Sequence, residues 1–224
     1  AHDPTLRDPE LPRAMDNLGY RARRILPPAF AWLLGAGQPA WIIHTYPLLN
    51  LIAWFTLAVL LWKLLAVSDP RGLLAWAGVL FSAGALASVR LALTDLIALT
   101  ILAAALLAAE RSRQHPATAL LAAAALARET SLLAFAGLAQ HPFFSLRNVV
   151  RAFLVTLPLA AWLVYLRWRI GPAEAGWANF TFPGSGLVEK WAAATSALFT
   201  VLDHSLAFTT WLATLGLTTQ AAFF

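Results

Sequence analysis

The 224-residue sequence contains no cysteine, so it can form neither a disulfide framework nor a thiolate metal site. Charged side chains are scarce as well, at 12% of the chain, whereas a typical soluble domain carries about 25%. A soluble protein of this length could not cover its surface with so few charges. The two shortages together exclude a disulfide-stabilised domain and predict an integral membrane protein.

What the chain has in abundance supports the same class. Hydrophobic residues make up 60% of the sequence, and the mean hydropathy is +0.68. The net charge of +5 comes almost entirely from arginines, most of which lie in short gaps between apolar runs. Charges in such gaps set membrane topology, so they give no reason to expect a nucleic-acid partner. The Arg- and Ala-rich composition predicts a multi-pass protein of a bacterial inner membrane.

The chain divides by composition into two parts. Residues 1–24 are polar and contain three prolines, which predicts an extramembrane loop with room for a short interfacial helix. Residues 25–224 predict a transmembrane helical domain, interrupted by an extramembrane loop at about 170–189. The sequence starts at Ala1 without a signal-peptide pattern and stops within an apolar run, so we expect a fragment of a longer membrane protein.

Apolar runs separated by Pro, Gly and charged residues predict an all-α, polytopic transmembrane bundle of about seven or eight helices. From Ile25 to Trp62 no Asp, Glu, Lys or Arg occurs, and that run is longer than the roughly 20 residues one span needs. Breaks at residues 35–39 and at Pro47 therefore divide it. The predicted helices cover 22–37, 45–66, 72–88, a stretch from about 96 to 109, 117–139, 149–168, 190–202 and 205–222.

One predicted helix, 117–139, carries Arg128 and Glu129 side by side near its middle. A charge at mid-membrane costs about 3 kcal/mol on insertion scales. The segment either crosses the membrane once or returns to the same side as a hairpin broken at this pair, where polar groups satisfy freed backbone. The pair is either an ion pair or helix-break cap that locks the bundle, or a cavity-facing pair in which Arg128 holds a phosphate and Glu129 orients it.

Three further charged residues are site candidates. Arg21 and Arg24 share a face if they are helical, and either reach lipid headgroups as interfacial side chains or clamp a lipid-linked phosphate. Asp95 lies at a predicted helix start, where it either caps the helix or binds a sugar hydroxyl or a metal. The five histidines show no i, i+4 pair, so the sequence predicts no zinc site.

The order of these features resembles bacterial polytopic glycosyltransferases of the GT-C superfamily. The similarity covers roughly residues 1–190 and is carried by the stretches AHDPTL, YRARRILPPAFAWLLGAGQP, NLIAWFTLAVLL, RLALTDLIALTILAAALLAAERSR, LLAAAALARETSLLAFAGL and YLRWRIGP. The resemblance implies transfer of a sugar from a polyprenyl-phosphate-linked donor to an acceptor hydroxyl at the outer face of the membrane. Membrane lipid and the lipid-linked donor would be the partners.

The resemblance also implies roles for individual residues. The general base would be an acidic residue in a YDGQ-like motif just upstream of a pair such as Asp3-Pro4; that motif is absent here, so the catalytic residue is expected upstream of Ala1. The loop at 170–189 would help to cover the active site. The residues that carry over as substrate-binding are Arg21, Arg24, Asp95, Arg128 and Glu129.

The implied chemistry is an inverting transfer, in which a carboxylate deprotonates the acceptor hydroxyl and arginines or a divalent metal hold the charge of the leaving phosphate. The alternatives are a transporter or flippase for a polar or lipid-linked solute, and a purely structural subunit. One topological conflict accompanies the resemblance. If helix 22–37 crossed fully, Lys63 and Arg71 would lie outside the cytoplasm, against the positive-inside rule; a partly inserted helix within 25–44 would remove the conflict.

Overall fold

The structure, a computed structural model, describes residues 21–65, 67–139, 142 and 144–170, together with the single residues Leu6 and Ala192. The chain divides into two compact units, Ala1–Ala173 and Glu174–Phe224. Within the described ranges every regular element is helical, which confirms the all-α prediction. The α-helices are α1 (Leu26–Leu34), α2 (Pro39–Leu64), α3 (Pro70–Leu80), α4 (Ala83–Leu91), α5 (Thr94–Glu110), α6 (Gln114–Ala127), α7 (Ala134–Leu138) and α8 (Leu146–Ile170), and a 3-10 helix covers Glu129–Leu133.

The predicted loop at 170–189 and the predicted helices 190–202 and 205–222 lie outside the described residues, so the total of seven or eight helices stays a prediction. Among the described residues, three helical segments are long and apolar enough to cross a membrane: Pro39–Leu64, Pro70–Leu91 and Leu146–Ile170. The middle segment joins α3 and α4. By their length and composition these three segments are candidate membrane-spanning helices.

Packing in the described part places small residues inside and large ones outside. More than half of its buried hydrophobic residues are alanines, whereas large side chains such as Ile43, Leu74 and Trp168 are two-thirds or more exposed. Small residues at helix contacts allow the backbones to approach closely. Helices associate in this way in lipid, because moving a leucine from lipid into a helix contact gains little free energy. The exposed apolar surface is what a bilayer would cover.

Proline and serine explain where the helices differ from their predicted bounds. Helix α2 starts at Pro39 in its first turn, where the missing N–H costs nothing, and it continues through Pro47 without ending. The predicted break at Pro47 is therefore wrong, since a long packed helix tolerates one lost backbone bond. The predicted helix 72–88 instead breaks after Leu80, because the Ser82 hydroxyl accepts a hydrogen bond from the Ala85 N–H (3.2 Å) and caps α4.

Helix directions follow from hydrogen bonds between neighbouring helices. The Trp54 indole donates to the Leu80 carbonyl (2.9 Å) and the Trp76 indole donates to the Ala58 carbonyl (2.8 Å). From the first bond to the second, the residue number increases along α2 and decreases along α3, so these two helices are antiparallel. The Thr100 hydroxyl donates to the Ala53 carbonyl (3.1 Å) and joins α5 to the same core.

The 117–139 segment follows the hairpin alternative. Helix α6 ends at Ala127, and Arg128 takes an extended conformation (φ −157°, ψ 122°) before the 3-10 helix begins. The chain then turns back, since Arg151 near the start of α8 donates from Nε to the Thr118 hydroxyl near the start of α6 (3.2 Å). Helices α6 and α8 thus start at the same end of the bundle.

The topological conflict raised by the sequence disappears because α1 is short. Its nine residues span about 13 Å at 1.5 Å per residue, less than half of the roughly 30 Å hydrocarbon core. A tight turn joins α1 to α2, and the Thr45 hydroxyl of α2 donates to the Ala31 carbonyl of α1 (3.1 Å). Helix α1 therefore does not need to cross the membrane. A crossing by α2 alone can then place Lys63, at its end, on the opposite side from the residues before α1.

Candidate functional site

Five polar side chains from three distant parts of the sequence meet at one end of the described bundle. Arg128 forms an ion pair with the Asp95 carboxylate through Nη1. Arg24 lies beside the same group: its Nη1 donates to the Thr94 hydroxyl (3.4 Å), and its Nε is 3.8 Å from the Glu129 carboxylate. We name these residues, Arg24, Thr94, Asp95, Arg128 and Glu129, the Arg–carboxylate cluster.

Three of the four charges in the cluster stand at the helix end that favours their sign, whereas Arg24 precedes the first turn of α1, the end that favours an anion. Asp95 lies in the first turn of α5 and Glu129 in the first turn of the 3-10 helix, where unpaired N–H groups make the environment positive. Arg128 follows the last residue of α6, where unpaired carbonyl groups make it negative. The break between α6 and the 3-10 helix therefore places a negative helix end next to a positive one. The arginine lies at the negative end and the glutamate at the positive end.

The observed contacts decide between two alternatives left by the sequence. Asp95 does not cap α5, because the N-cap position is Leu93 and no side chain closes that end. Arg128 and Glu129 do not cap the helix break either, since no side-chain cap bond forms at the start of the 3-10 helix. Both carboxylates instead pair with arginines from other segments, so their placement depends on tertiary packing.

The two ion pairs differ in exposure and in closeness. Arg128 and Asp95 are each 37% exposed, and they are in direct contact. Arg24 and Glu129 are more buried, at 21% and 27%, but their charged atoms are farther apart. An approaching ligand would therefore meet the Arg128–Asp95 pair first. The four charges sum to zero, so any anion that binds here must compete with a carboxylate for a guanidinium group.

Two aromatic side chains lie near Arg24 or contact the backbone before it, and one of them is linked to a buried amide. The Trp162 indole of α8 donates to the Ala22 carbonyl (2.8 Å), which fixes the backbone two residues before Arg24. Tyr46 of α2 is half-buried and close enough to Arg24 for an electrostatic interaction. One turn along α2, Asn50 is fully buried; its Nδ2 donates to the Tyr46 carbonyl (3.3 Å), while its Oδ1 accepts no hydrogen bond within the described part of the chain.

Four of the five residues predicted as substrate-binding therefore lie together: Arg24, Asp95, Arg128 and Glu129. Arg21 does not join them. Its side chain is exposed, and its guanidinium makes no hydrogen bond or ion pair within the described ranges. Substrate binding by any of the five stays a prediction, since shared location does not identify a ligand.

Sequence reasoning did not find Tyr46 or Trp162. Nothing in the spacing singles out Trp162 from the nine other tryptophans. Its partner is 140 residues away along the chain, so only the packed structure identifies the contact. Among the described residues, no three His, Asp or Glu side chains come together as metal ligands.

Comparison with known proteins gives no assignment. The chain matches no protein-family model, and no curated protein or solved structure shows significant similarity to it. The GT-C resemblance therefore stays a hypothesis that rests on the sequence motifs quoted above.

Proposed function

We propose that this chain is the membrane-embedded part of a GT-C-type glycosyltransferase of a bacterial inner membrane, which takes a sugar from a polyprenyl-phosphate-linked donor at the outer face. One observation carries the proposal: Arg24 and Arg128, 104 positions apart in the sequence, come together beside two carboxylates at one end of an apolar helix bundle. Charges retained among apolar helices commonly serve a polar substrate.

The phosphate of the donor would bind by exchange at Arg128. Guanidinium groups bind phosphate and carboxylate with the same bidentate geometry, so phosphate can replace the Asp95 carboxylate on Arg128. The released Asp95 carboxylate is then available for a sugar hydroxyl, the role that the resemblance implies for it. Arg24 adds a second positive charge to the cluster, and both arginines would hold the charge that develops on the departing phosphate.

The polyprenyl chain would lie against the exposed apolar side chains of the bundle. Lipid-linked donors need a site at which a charged head and a long apolar tail are bound together. The cluster stands at an end of helices whose exposed large side chains are mostly leucine, with valine and phenylalanine next in number. The acidic general base that the resemblance implies remains predicted in sequence upstream of Ala1.

A transporter or flippase is the second candidate, and the break in α6 favours it. Transporters commonly bind polar substrates at interrupted helices, whose free backbone groups and helix ends face a cavity. The extended Arg128 between α6 and the 3-10 helix is such an interruption. A flippase for a lipid-linked sugar would use the same guanidinium groups without breaking the glycosidic bond.

A transfer assay separates the two candidates. The full-length protein, reconstituted in proteoliposomes, is supplied with radiolabelled polyprenyl-phosphate sugars, and transfer to acceptor is measured beside movement of label across the bilayer. Transfer that is lost in Arg128→Ala and retained in Arg113→Ala, an exposed arginine outside the cluster, supports the glycosyltransferase. Movement of label without transfer from any donor supports the flippase and overturns the first proposal.

A further inference from the structure

A ligand-sized space runs along α6, and its polar end lies at the opposite end of this helix from the Arg–carboxylate cluster. It is an open groove of about 1000 Å³ between α6 and α8, at the upper end of the roughly 300–1,000 Å³ of small-molecule sites. We name it the α6–α8 groove. Its walls are mostly alanine, leucine and valine, from Ala119 to Leu126 on α6 and from Val150 to Pro158 on α8.

The polar residues of the groove are collected at one end. Gln114, His115 and Thr118 lie in the first two turns of α6, and Arg147 and Arg151 in the first two turns of α8. No Asp or Glu is among the described residues that line the groove. The groove therefore has a cationic end and an apolar remainder, the two-part character of a phospholipid.

The two arginines are not neutralised by the described part of the protein. Arg147 is exposed, and its guanidinium takes part in no ion pair or hydrogen bond there. Arg151 donates only from Nε, to the Thr118 hydroxyl (3.2 Å), so that its two terminal nitrogens are still available. The arginines are four residues apart on one helix face, and like charges at that spacing repel. An anion bound between them would remove the repulsion.

The length of the groove fits one leaflet of a membrane. From Arg147 to Pro158 the helix rises about 16 Å at 1.5 Å per residue, and one leaflet is about 15 Å of a roughly 30 Å hydrocarbon core. Helix α8 belongs to an apolar segment long enough to cross a membrane, Leu146–Ile170. In a membrane that this segment crosses, its first turns, with both arginines, would lie at the headgroup level.

We propose that the α6–α8 groove binds an anionic phospholipid of the surrounding membrane, with the phosphate between Arg147 and Arg151 and one acyl chain along the alanine wall of α6. Basic pockets between transmembrane helices bind anionic headgroups in this way. The phosphate position between Arg147 and Arg151 is separate from the Arg–carboxylate cluster, since α6 alone places about 20 Å between its first residue and its last. It does not depend on the proposed transferase activity.

Lipid-dependent stability of the full chain tests the proposal. The protein is purified in detergent, and its thermal unfolding and native mass spectrum are followed while palmitoyl-oleoyl phosphatidylglycerol or palmitoyl-oleoyl phosphatidylcholine is added. The acyl chains are identical, so only the headgroup differs. We expect phosphatidylglycerol to raise the unfolding temperature more and to remain bound. Arg147→Gln, at an exposed position, should weaken the apparent affinity about fivefold, and Arg151→Lys should retain most of it.

Two matched variants test the apolar part. Ala119→Trp places an indole on the groove wall and should reduce binding of both lipids, whereas Ala160→Trp adds the same ring to an exposed alanine of α8 that does not line the groove. Equal stabilisation by the two lipids would overturn the proposal. So would unchanged lipid binding in Ala119→Trp, or an equal loss in Arg113→Gln, an exposed arginine that does not line the groove.

Discussion

Arginines lie near both ends of α6, but those at one end are paired with carboxylates and those at the other end are not. At its last residue, the Arg–carboxylate cluster pairs Arg128 with Asp95 and Arg24 with Glu129. At its first turns, the α6–α8 groove presents Arg147 and Arg151 with no carboxylate among the described lining residues. An arginine of the cluster would have to separate from a protein carboxylate before it could bind an anion. An arginine of the groove would not.

This difference bears on selectivity. A charge-balanced cluster attracts anions weakly from a distance, because the carboxylates cancel the field of the arginines. It should favour a ligand that supplies further contacts once exchange has taken place, as a phosphosugar can. An unbalanced groove attracts any anionic headgroup that diffuses along the membrane surface. The cluster is thus suited to a specific substrate and the groove to an abundant lipid.

The largest expected effect is at the Arg128–Asp95 pair. If the proposed function holds, Arg128→Ala should lower sugar transfer by about 100-fold or more, since it would remove a donor to the developing phosphate charge. It should also cost about 1–3 kcal/mol in the free energy of unfolding, because Asp95 loses its partner while only partly exposed. Radiolabelled transfer and thermal unfolding of the purified protein measure the two effects.

A charge swap separates the two roles of that pair. In the double variant Asp95→Arg/Arg128→Asp the ion pair re-forms, so part of the lost stability should return. The return is incomplete, because each charge then stands at the unfavourable helix end, at a cost of about 0.3–1 kcal/mol each. Transfer should stay low, since the guanidinium has moved to α5. Recovery of transfer together with stability would show that the pair only holds helices together.

Arg24 should have the next largest effect. Its Nε is 3.8 Å from Glu129 and its Nη1 is 3.4 Å from the Thr94 hydroxyl, so both contacts are long. Arg24→Gln should reduce transfer about tenfold, comparable with the loss of one charge-assisted hydrogen bond. The neighbouring Arg23→Gln is the matched control, because Arg23 makes no side-chain contact with the cluster in the described residues. Equal losses in both variants would indicate a general charge effect at this membrane surface.

A smaller effect is expected at Trp162. Trp162→Phe removes the indole donor to the Ala22 carbonyl, and Trp54→Phe removes the equivalent donor to the Leu80 carbonyl in another part of the bundle. Each variant should cost about 1 kcal/mol in the free energy of unfolding. Only Trp162→Phe should also reduce transfer severalfold, since Ala22 lies two residues before Arg24. If both variants reduced transfer alike, the Ala22 contact would have no special positioning role.

The sequence predicts the helices of this protein better than it predicts their contacts. The breaks near Gly35–Pro39, at Asp69-Pro70 and before Gln114 were all visible as Pro, Gly or charge in an apolar chain. The break after Leu80 was not, because its signal is a single serine whose capping bond depends on the local conformation. Pro47 gave a false break, since a proline signals a lost backbone bond and not whether packing compensates for it.

The candidate site shows the same division between local and non-local information. The cost of charge in apolar surroundings marked Arg128 and Glu129 from the sequence alone. Their partners Asp95 and Arg24 were also marked, but not as partners, because the pairing depends on how three separate helices align. The arginines of the groove could not be recognised at all, since the lack of a carboxylate partner among the described residues is a property of the packed structure.

The smallest expected effect concerns Arg21, the predicted site residue that the structure leaves outside the cluster. Its exposed guanidinium has no ion-pair partner in the described ranges, so Arg21→Gln should change the free energy of unfolding by less than about 0.5 kcal/mol. Transfer should fall by no more than about twofold, as expected for an exposed charge screened by salt. Assays of Arg21→Gln and Arg24→Gln at low and high salt give the comparison. A loss in Arg21→Gln as large as in Arg24→Gln, and unchanged at high salt, would mean that the donor phosphate draws Arg21 into direct contact and that the cluster gains a third arginine on binding.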